Sequence, residues 1–195
     1  GAVGVNFGVI DDITVATAVS GNVDVGGLVG YTGGPEVKNS TISGTVTGTG
    51  DDVGGAIGGL DGSTVANINT SAVVSGVNLV GGLIGVGGGL VTDSHATGTV
   101  SGNESVGGFI GESYAEIHGS TATGNVTATG DNVGGFVGLM SDGLIDTSQA
   151  DGVVAGADYA GGFVGYLDIG TISGSTANGN VSGTSRIGGV AGYNS

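Results

Sequence analysis

The segment Val133-Gly134-Gly135-Phe136-Val137-Gly138 decides the fold, because the chain repeats it at nearly constant intervals. The first glycine of the pair falls at Gly26, Gly54, Gly81, Gly107, Gly134, Gly161 and Gly188, so successive copies are 26 to 28 residues apart. A period of this length is typical of arrays of stacked units, each of which buries its apolar residues against its neighbours. The period predicts one repeat domain over residues 1–195.

Between these motifs, apolar and small residues recur at the spacing of β-strands. One column holds Val19, Val46, Val74, Val100, Val126, Val154 and Val181. A second lies four residues earlier (Val15, Ile42, Thr70, Ala96, Ala122, Ala150, Ala177), and a third two residues before that (Ile13, Ser40, Ile68, Ser94, Ser120, Ser148, Ser175). Because the intervening positions are polar, these segments are predicted to be short strands with one face inward. A fourth column, three residues further back, requires a bend between two strands: Ile10, Val37, Val65, Val91, Ile117, Ile145 and Ile172.

Glycine is frequent throughout the chain, which disfavours helix because each glycine costs roughly 1 kcal/mol in a helix interior. The prediction is an all-β fold, a parallel β-helix (β-solenoid) of about seven coils with about 27 residues per coil and no significant helix. The 48 glycines accompany one proline and no three-residue period, which excludes collagen. The recurring valine, isoleucine, leucine and phenylalanine exclude a disordered chain.

The charge balance limits the partners. Lys38 and Arg186 are the only basic residues against 17 acidic ones, which gives a net charge of −15. Because binding to a phosphate backbone needs several lysines or arginines, nucleic acid is excluded as a partner. No apolar run approaches the roughly 18 residues of a membrane span, so direct membrane insertion is not expected. We expect an extracellular or cell-surface protein, with any export signal or anchor outside this chain.

The fourth residue of the opening motif forms another column, whose large members are Leu28, Leu83, Phe109, Phe136 and Phe163. If the strand continued through the motif, alternation would place Val133 and Val137 on one face and Phe136 on the other. The column would then be an exposed apolar stripe for self-association or ligand contact. If a bulge or corner interrupts the strand at its glycines, both sets are internal, and this core placement is the favoured interpretation.

The motifs resemble a known family. They are Val80-Gly81-Gly82-Leu83-Ile84-Gly85, the segment 89–102 (GLVTDSHATGTVSG) and the parallel segment 119–126 (GSTATGNV). Together they are similar to the GLUG-motif repeats of bacterial and some archaeal surface proteins, adhesins and the stalk regions of secreted peptidases. The resemblance implies a scaffold role, and the family supplies no catalytic residues to transfer to this chain.

Few residues in the chain suit catalysis. There is no cysteine, and the two histidines, His95 and His118, stand in different columns, so each is expected to be a surface side chain. Carboxylate pairs one coil apart keep a polysaccharide-acting β-helix enzyme as a less favoured alternative. Such enzymes usually also present aromatic and basic side chains along a cleft. The prediction is that the protein is not an enzyme.

Acidic residues gather just before the Val-Gly-Gly motif, at Asp24, Asp51, Asp52, Glu104, Asp131 and Asp158. Stacked carboxylates repel one another unless they are solvated, separated or bridged by a divalent ion, and calcium takes six to eight oxygen ligands. No Asp-x-Asp-x-Gly spacing recurs, and one coil has Asn78 in this place. A solvated corner without a cofactor is the favoured interpretation, and bound calcium is the alternative.

Regular threonines suggest a second function class, ice binding by a flat Thr/Ser-rich face. The candidate residues are Thr41, Thr45, Thr99, Thr121 and Thr123. His95, Gln149, Asp151 and Val153 interrupt the array, and charge or bulk would spoil a flat match. The preferred prediction is a non-enzymatic structural or adhesive module, such as a stalk, adhesin segment or fibre subunit. Its expected partners are copies of itself, joined end to end or laterally, or other surface proteins and glycans.

Overall fold

The computed structural model describes all 195 residues as one stack of parallel strands, about seven turns high, without any helix. The predicted all-β solenoid is therefore confirmed, with equivalent residues of neighbouring coils about 27 positions apart. No segment of the chain forms a helix long and apolar enough to cross a membrane. The buried apolar side chains form one continuous core along the stack.

The strands are short and number thirty. The first ten are β1 Val3–Asn6, β2 Val9–Asp11, β3 Thr14–Gly21, β4 Val25–Gly26, β5 Val29–Thr32, β6 Glu36–Gly48, β7 Val53–Gly54, β8 Ile57–Thr70, β9 Val73–Ser75 and β10 Asn78–Gly81. The next ten are β11 Ile84–Thr92, β12 His95–Ala96, β13 Val100–Gly102, β14 Glu104–Gly107, β15 Ile110–Ser113, β16 Glu116–His118, β17 Thr121–Ala122, β18 Val126–Ala128, β19 Val133–Gly134 and β20 Val137–Met140. The last ten are β21 Leu144–Asp146, β22 Gln149–Ala150, β23 Val154–Ala155, β24 Asp158–Gly161, β25 Val164–Leu167, β26 Thr171–Ser173, β27 Thr176–Ala177, β28 Val181–Ser182, β29 Ser185–Gly188 and β30 Ala191–Asn194.

The strands form two sheets. The smaller one stacks the strand that ends in the first motif glycine of every coil, in the order β29-β24-β19-β14-β10-β7-β4. The other 23 strands form the larger sheet, which wraps the rest of each coil. Registers follow the columns read from the sequence: Val46 pairs with Val74, Val74 with Val100, and Val100 with Val126.

Two corners in each coil use left-handed backbone. The first corner is the predicted bend, and its residues are Asp12, Asn39, Asn67, Asp93, Gly119, Thr147 and Gly174, with φ between 48° and 58°. The second precedes the Val-Gly-Gly motif, at Asp24, Asp52, Leu79, Ser105, Asn132, Tyr159 and Arg186, with φ between 50° and 60°. Asp and Asn tolerate this conformation better than other non-glycine residues, which explains their frequency here. Leu79, Tyr159 and Arg186 adopt it because the stacked neighbours hold the corner in place.

The motif glycines serve a different purpose, because their φ angles are not left-handed. A Cβ on Gly134 would lie 1.9 Å from the carbonyl oxygen of Val137. A Cβ on Gly135 would lie 2.2 Å from the carbonyl oxygen of Gly162, the equivalent glycine in the next coil. The Gly-Gly pair therefore allows backbones to approach too closely for any side chain.

The exposed-stripe alternative is wrong. Leu28, Leu83, Phe109, Phe136 and Phe163 are all buried, with at most 1% of each residue exposed. The chain turns between β19 and β20, so Val133 and Val137 belong to different sheets and strict alternation does not hold across the motif. Both valines and Phe136 therefore point into the core, as the favoured interpretation predicted.

The inward serines do more than fit a narrow space. The backbone N–H of Ser94 donates to Ser120 Oγ at 3.2 Å, and that hydroxyl donates to the carbonyl of His118 at 3.0 Å. Ser40, Ser94, Ser148 and Ser175 repeat both bonds. Each serine thus accepts from the previous coil and donates across its own left-handed corner, which satisfies buried backbone groups that the bend leaves outside the strand ladders.

Candidate functional site

The outer surface of the larger sheet carries one candidate site, which we call the threonine face. It consists of the outward columns that begin at Thr14, Ala16, Ala18 and Ser20 and repeat in every coil. Equivalent side chains along the stack are about 4.8 Å apart, and neighbouring columns are about 6.6 Å apart. The structure brings the five predicted threonines onto this face: Thr41, Thr45, Thr99 and Thr123 are exposed, and Thr121 is half-buried.

The predicted interruptions also lie on the threonine face. His95 Nδ1 contacts Thr121 Oγ1 at 2.8 Å, and Asp151 accepts hydrogen bonds from Gln149 at 2.6 Å and from Asn178 at 2.8 Å. A hollow of about 100 Å³ opens beside His95, with Thr41 and Thr97 on its wall. The face is therefore regular over short stretches only.

The six predicted calcium ligands divide between two columns of the second corner. Asp24 and Asp52 occupy the left-handed position, whereas Asp51, Glu104, Asp131 and Asp158 stand one residue earlier, in the neighbouring column. No group of three or more acidic or histidine side chains is arranged to hold a metal ion. Asp51 instead accepts a hydrogen bond from Asn78 at 3.1 Å.

Asp158 has its own partners. Ser185 Oγ donates to its carboxylate at 2.6 Å, and Arg186 forms an ion pair with it. The hydrogen bond from Ser185 lowers the pKa of Asp158, with smaller contributions from the Tyr159 backbone and Arg186. The guanidinium of Arg186 also lies 4.7 Å from the centre of the Tyr159 ring.

Asp52 is a carboxylate whose surroundings raise its pKa. Burial raises its pKa, and the negative charges of Asp24, Asp51 and Glu112 raise it further. One of its carboxylate oxygens, Oδ1, is buried without a hydrogen-bond partner. Such a carboxylate would be stabilised in its ionised form by a hydrogen-bond donor or a positive charge nearby.

The sequence-based predictions missed a second surface, which we call the tyrosine face. It combines the second-corner column with the adjacent outward column of Tyr31, Gly59, Val86, Glu112, Leu139, Tyr166 and Tyr193. All five tyrosines of the chain contribute to this face or its groove, including Tyr114, while three of the four phenylalanines are in the core. The available signal was the tyrosine three residues after Phe163 and after Leu28.

A groove of about 520 Å³ interrupts the tyrosine face at Gly59. Asp24, Asp52, Asp61, Tyr31 and Tyr114 line it. The hydroxyl of Tyr31 donates to Asp61 at 3.0 Å and that of Tyr114 donates to Glu112, and each hydrogen bond raises the pKa of its tyrosine. The residues that line the groove come from four successive coils, so no local motif in the sequence indicates the groove.

The histidines do not form a catalytic group. His95 lies on the threonine face, whereas His118 precedes a left-handed corner and contacts Glu116 at 3.2 Å and Asp146 at 3.9 Å. The two side chains have no partner in common.

The GLUG motif model matches three segments of the chain, residues 21–47, 102–127 and 156–182. No curated protein and no solved structure gives a significant match. Each matched segment begins three residues before a second corner and continues through most of one coil. The unmatched coils carry the same columns in register. This chain therefore carries repeats of the GLUG-motif family.

Proposed function

We propose that this chain is a non-enzymatic structural and adhesive module that acts outside the cell as a rigid acidic rod. The observation that carries the proposal is the continuity of the ladders: every coil hydrogen-bonds to its neighbours, and one apolar core runs along the stack. At about 4.8 Å per coil, seven coils give a rod of about 35 Å. Many of the residues that differ from coil to coil lie on the outside, where they are free to contact partners.

The mechanical role predicts how the rod responds to force. In a solenoid each coil contacts only its neighbours, so coils should detach one after another. A detached coil of about 27 residues adds about 95 Å of extended chain, at roughly 3.5 Å per residue. Single-molecule pulling between marker domains fused to both ends should show lengthening in steps of about 95 Å or its multiples. Smooth extension at low force, without steps, would contradict a load-bearing role.

The adhesive role requires binding partners, which are either further copies of this chain or other surface proteins and glycans. The net charge of −15 opposes lateral packing of two copies at low salt, and this repulsion weakens when salt screens the charge. Sedimentation of the purified chain over a range of concentrations and salt should show association that increases with ionic strength. A monomer at every condition would remove self-association and leave heterologous partners.

Ice binding is the second candidate, and the exposed threonines of the threonine face favour it. Thermal hysteresis at millimolar protein is the direct test. Thr99→Lys should abolish any hysteresis because it places a charge in the middle of the face. Thr92→Lys is the matched control, because Lys38 already occupies the same column on another side of the coil. No hysteresis in the unmodified chain would remove this candidate.

A further inference from the structure

The groove at Gly59 exists because one side chain is missing from an otherwise filled column. Gly59 pairs with Tyr31 in the preceding coil and with Val86 in the following coil, and both present side chains to solvent. A Cβ at position 59 would meet only side-chain atoms, Asp24 Oδ1 at 2.7 Å and Tyr31 Cδ2 at 3.0 Å. The backbone therefore tolerates a larger residue here, and the groove is a local feature of this sequence.

The lining of the groove is negative and aromatic. Asp24, Asp52 and Asp61 border it, and neither basic residue of the chain reaches it, since Lys38 pairs with Glu36 and Arg186 with Asp158. The buried Oδ1 of Asp52 has no hydrogen-bond donor within the chain. A cationic group in the groove would supply the missing positive charge beside Asp52.

The same face already shows how such a cation is held. Arg186 stacks its guanidinium over the ring of Tyr159 and forms an ion pair with Asp158. The groove presents the same two kinds of group, tyrosine rings and carboxylates, without a guanidinium. Arginine suits this combination better than lysine, because its planar group stacks on a ring while its N–H groups bind carboxylates.

We propose that the groove at Gly59 binds an arginine side chain of a partner protein, with the guanidinium held by Asp52 and Asp61 and stacked on Tyr31. This deepens the adhesive half of the proposed function and rests on it. Binding of an arginine side chain and resistance to force are measured separately. Absence of binding would therefore not contradict the mechanical role, and smooth extension in the pulling experiment would not contradict this site.

The test is an NMR titration of the ¹⁵N-labelled chain with the peptide acetyl-Gly-Arg-Gly-amide at low salt. We expect saturable shifts of the Gly59, Gly62 and Gly88 amides, with a dissociation constant of the order of 1 mM, which corresponds to about −4 kcal/mol. The citrulline peptide has the same shape without the charge, and it should cause no saturable shift. The corresponding lysine peptide keeps the charge without the planar group, and it should bind more weakly. Equal shifts with citrulline, or equal affinity for the lysine peptide, would overturn the proposal.

Variants locate the site. Gly59→Leu fills the groove without removing a charge, and Leu139 shows that the column accepts leucine; it should abolish the shifts. Asp61→Asn should weaken binding at least about threefold, whereas Asp12→Asn removes the same charge from an exposed corner in another column and should weaken it less than twofold. Tyr31→Leu serves as the second test of the groove should Gly59→Leu fail to fold. Unchanged affinity in Gly59→Leu or Tyr31→Leu, with an unchanged circular dichroism spectrum, would overturn the proposal.

Discussion

The ring of Phe136 lies parallel to that of Phe109, with centroids 4.5 Å apart and planes 10° from parallel, and it stacks on Phe163 in the same way at 4.8 Å. Isolated aromatic pairs prefer offset or edge-to-face contacts. Here the spacing of about 4.8 Å between parallel strands sets the distance, because each ring is carried by the same position of successive coils. Their backbones follow the same ladder: the N–H of Phe109 donates to Phe136 O, and the N–H of Phe136 donates to Phe163 O, each at 2.8 Å.

Phe136→Ala should lower the free energy of unfolding by about 3–5 kcal/mol, because it removes the central ring of the stack and leaves a cavity between its neighbours. Phe136→Leu should cost less, since Leu28 and Leu83 occupy this column in other coils. Urea unfolding followed by circular dichroism measures both. Equal losses in the two variants would show that this position requires the aromatic ring itself rather than side-chain volume.

Gly135→Ala should destabilise the fold by about 1–3 kcal/mol, because the new methyl group meets the backbone of Gly162 in the next coil. Gly189 is a matched control. It has the same place in the motif, but nothing lies within 4 Å of an added Cβ. Gly189→Ala should be neutral or stabilise by up to about 1 kcal/mol through the unfolded state. A similar loss in both variants would indicate a conformational rather than a steric requirement for glycine.

Ser120→Ala should cost about 1–3 kcal/mol, because the buried N–H of Ser94 loses its acceptor while the side chain shrinks by a single oxygen atom. Ser101→Ala is the control: Ser101 is exposed, and its hydroxyl makes only a long hydrogen bond of 3.4 Å. We expect the control to change stability by less than about 0.5 kcal/mol. Chemical denaturation compares the two, and hydrogen exchange at Ser94 should accelerate in Ser120→Ala alone.

The stability of the fold should depend on pH through Asp52. Its pKa in the folded state is raised above the ordinary value of 3.8, so between 3.8 and that raised value the folded chain binds more protons than the unfolded chain. Ionised Asp52 therefore destabilises the fold, and its contribution improves as the pH falls through the folded pKa. Asp52→Asn should be more stable than the natural chain at pH 7, with an advantage that shrinks as the pH falls toward 3.8.

Asparagine suits position 52 because the backbone there is left-handed, with φ of 60°. Asp12→Asn makes the same change at an exposed left-handed corner, with φ of 56°, and separates the effect of burial from that of backbone conformation. Thermal melts of the three proteins from pH 3.5 to 8 measure the difference. An advantage of Asp52→Asn that grows as the pH falls would contradict the assigned direction.

A chelator should leave the melting temperature unchanged. The acidic residues of the second corner divide between two columns, and two of them already have partners, Asp51 with Asn78 and Asp158 with Arg186. Calcium needs six to eight oxygen ligands, which this arrangement does not gather at one point. Melts with EDTA and with millimolar calcium make the comparison. An increase of several degrees with calcium, reversed by EDTA, would establish the calcium alternative.

The sequence alone determined the period, the parallel stack and most of the columns. Periodicity carries this information because equivalent residues of a solenoid occupy equivalent environments, so Val46, Val74 and Val100 recur where the core requires a β-branched side chain. The serine column was also visible, but its purpose was not. Only the structure shows that Ser120 supplies an acceptor to the coil before it.

The tertiary structure alone decided which way Phe136 points and where the groove lies. The direction of Phe136 depends on a corner between Gly134 and Val137. The glycines there permit backbones to approach more closely than a side chain would allow. Local alternation of apolar and polar residues does not encode this approach. The groove depends on Asp24, Gly59 and Tyr114, which lie in different coils and meet only through the stacking register. Repetition in a sequence determines what every coil shares, whereas a site formed by differences between coils requires their three-dimensional alignment.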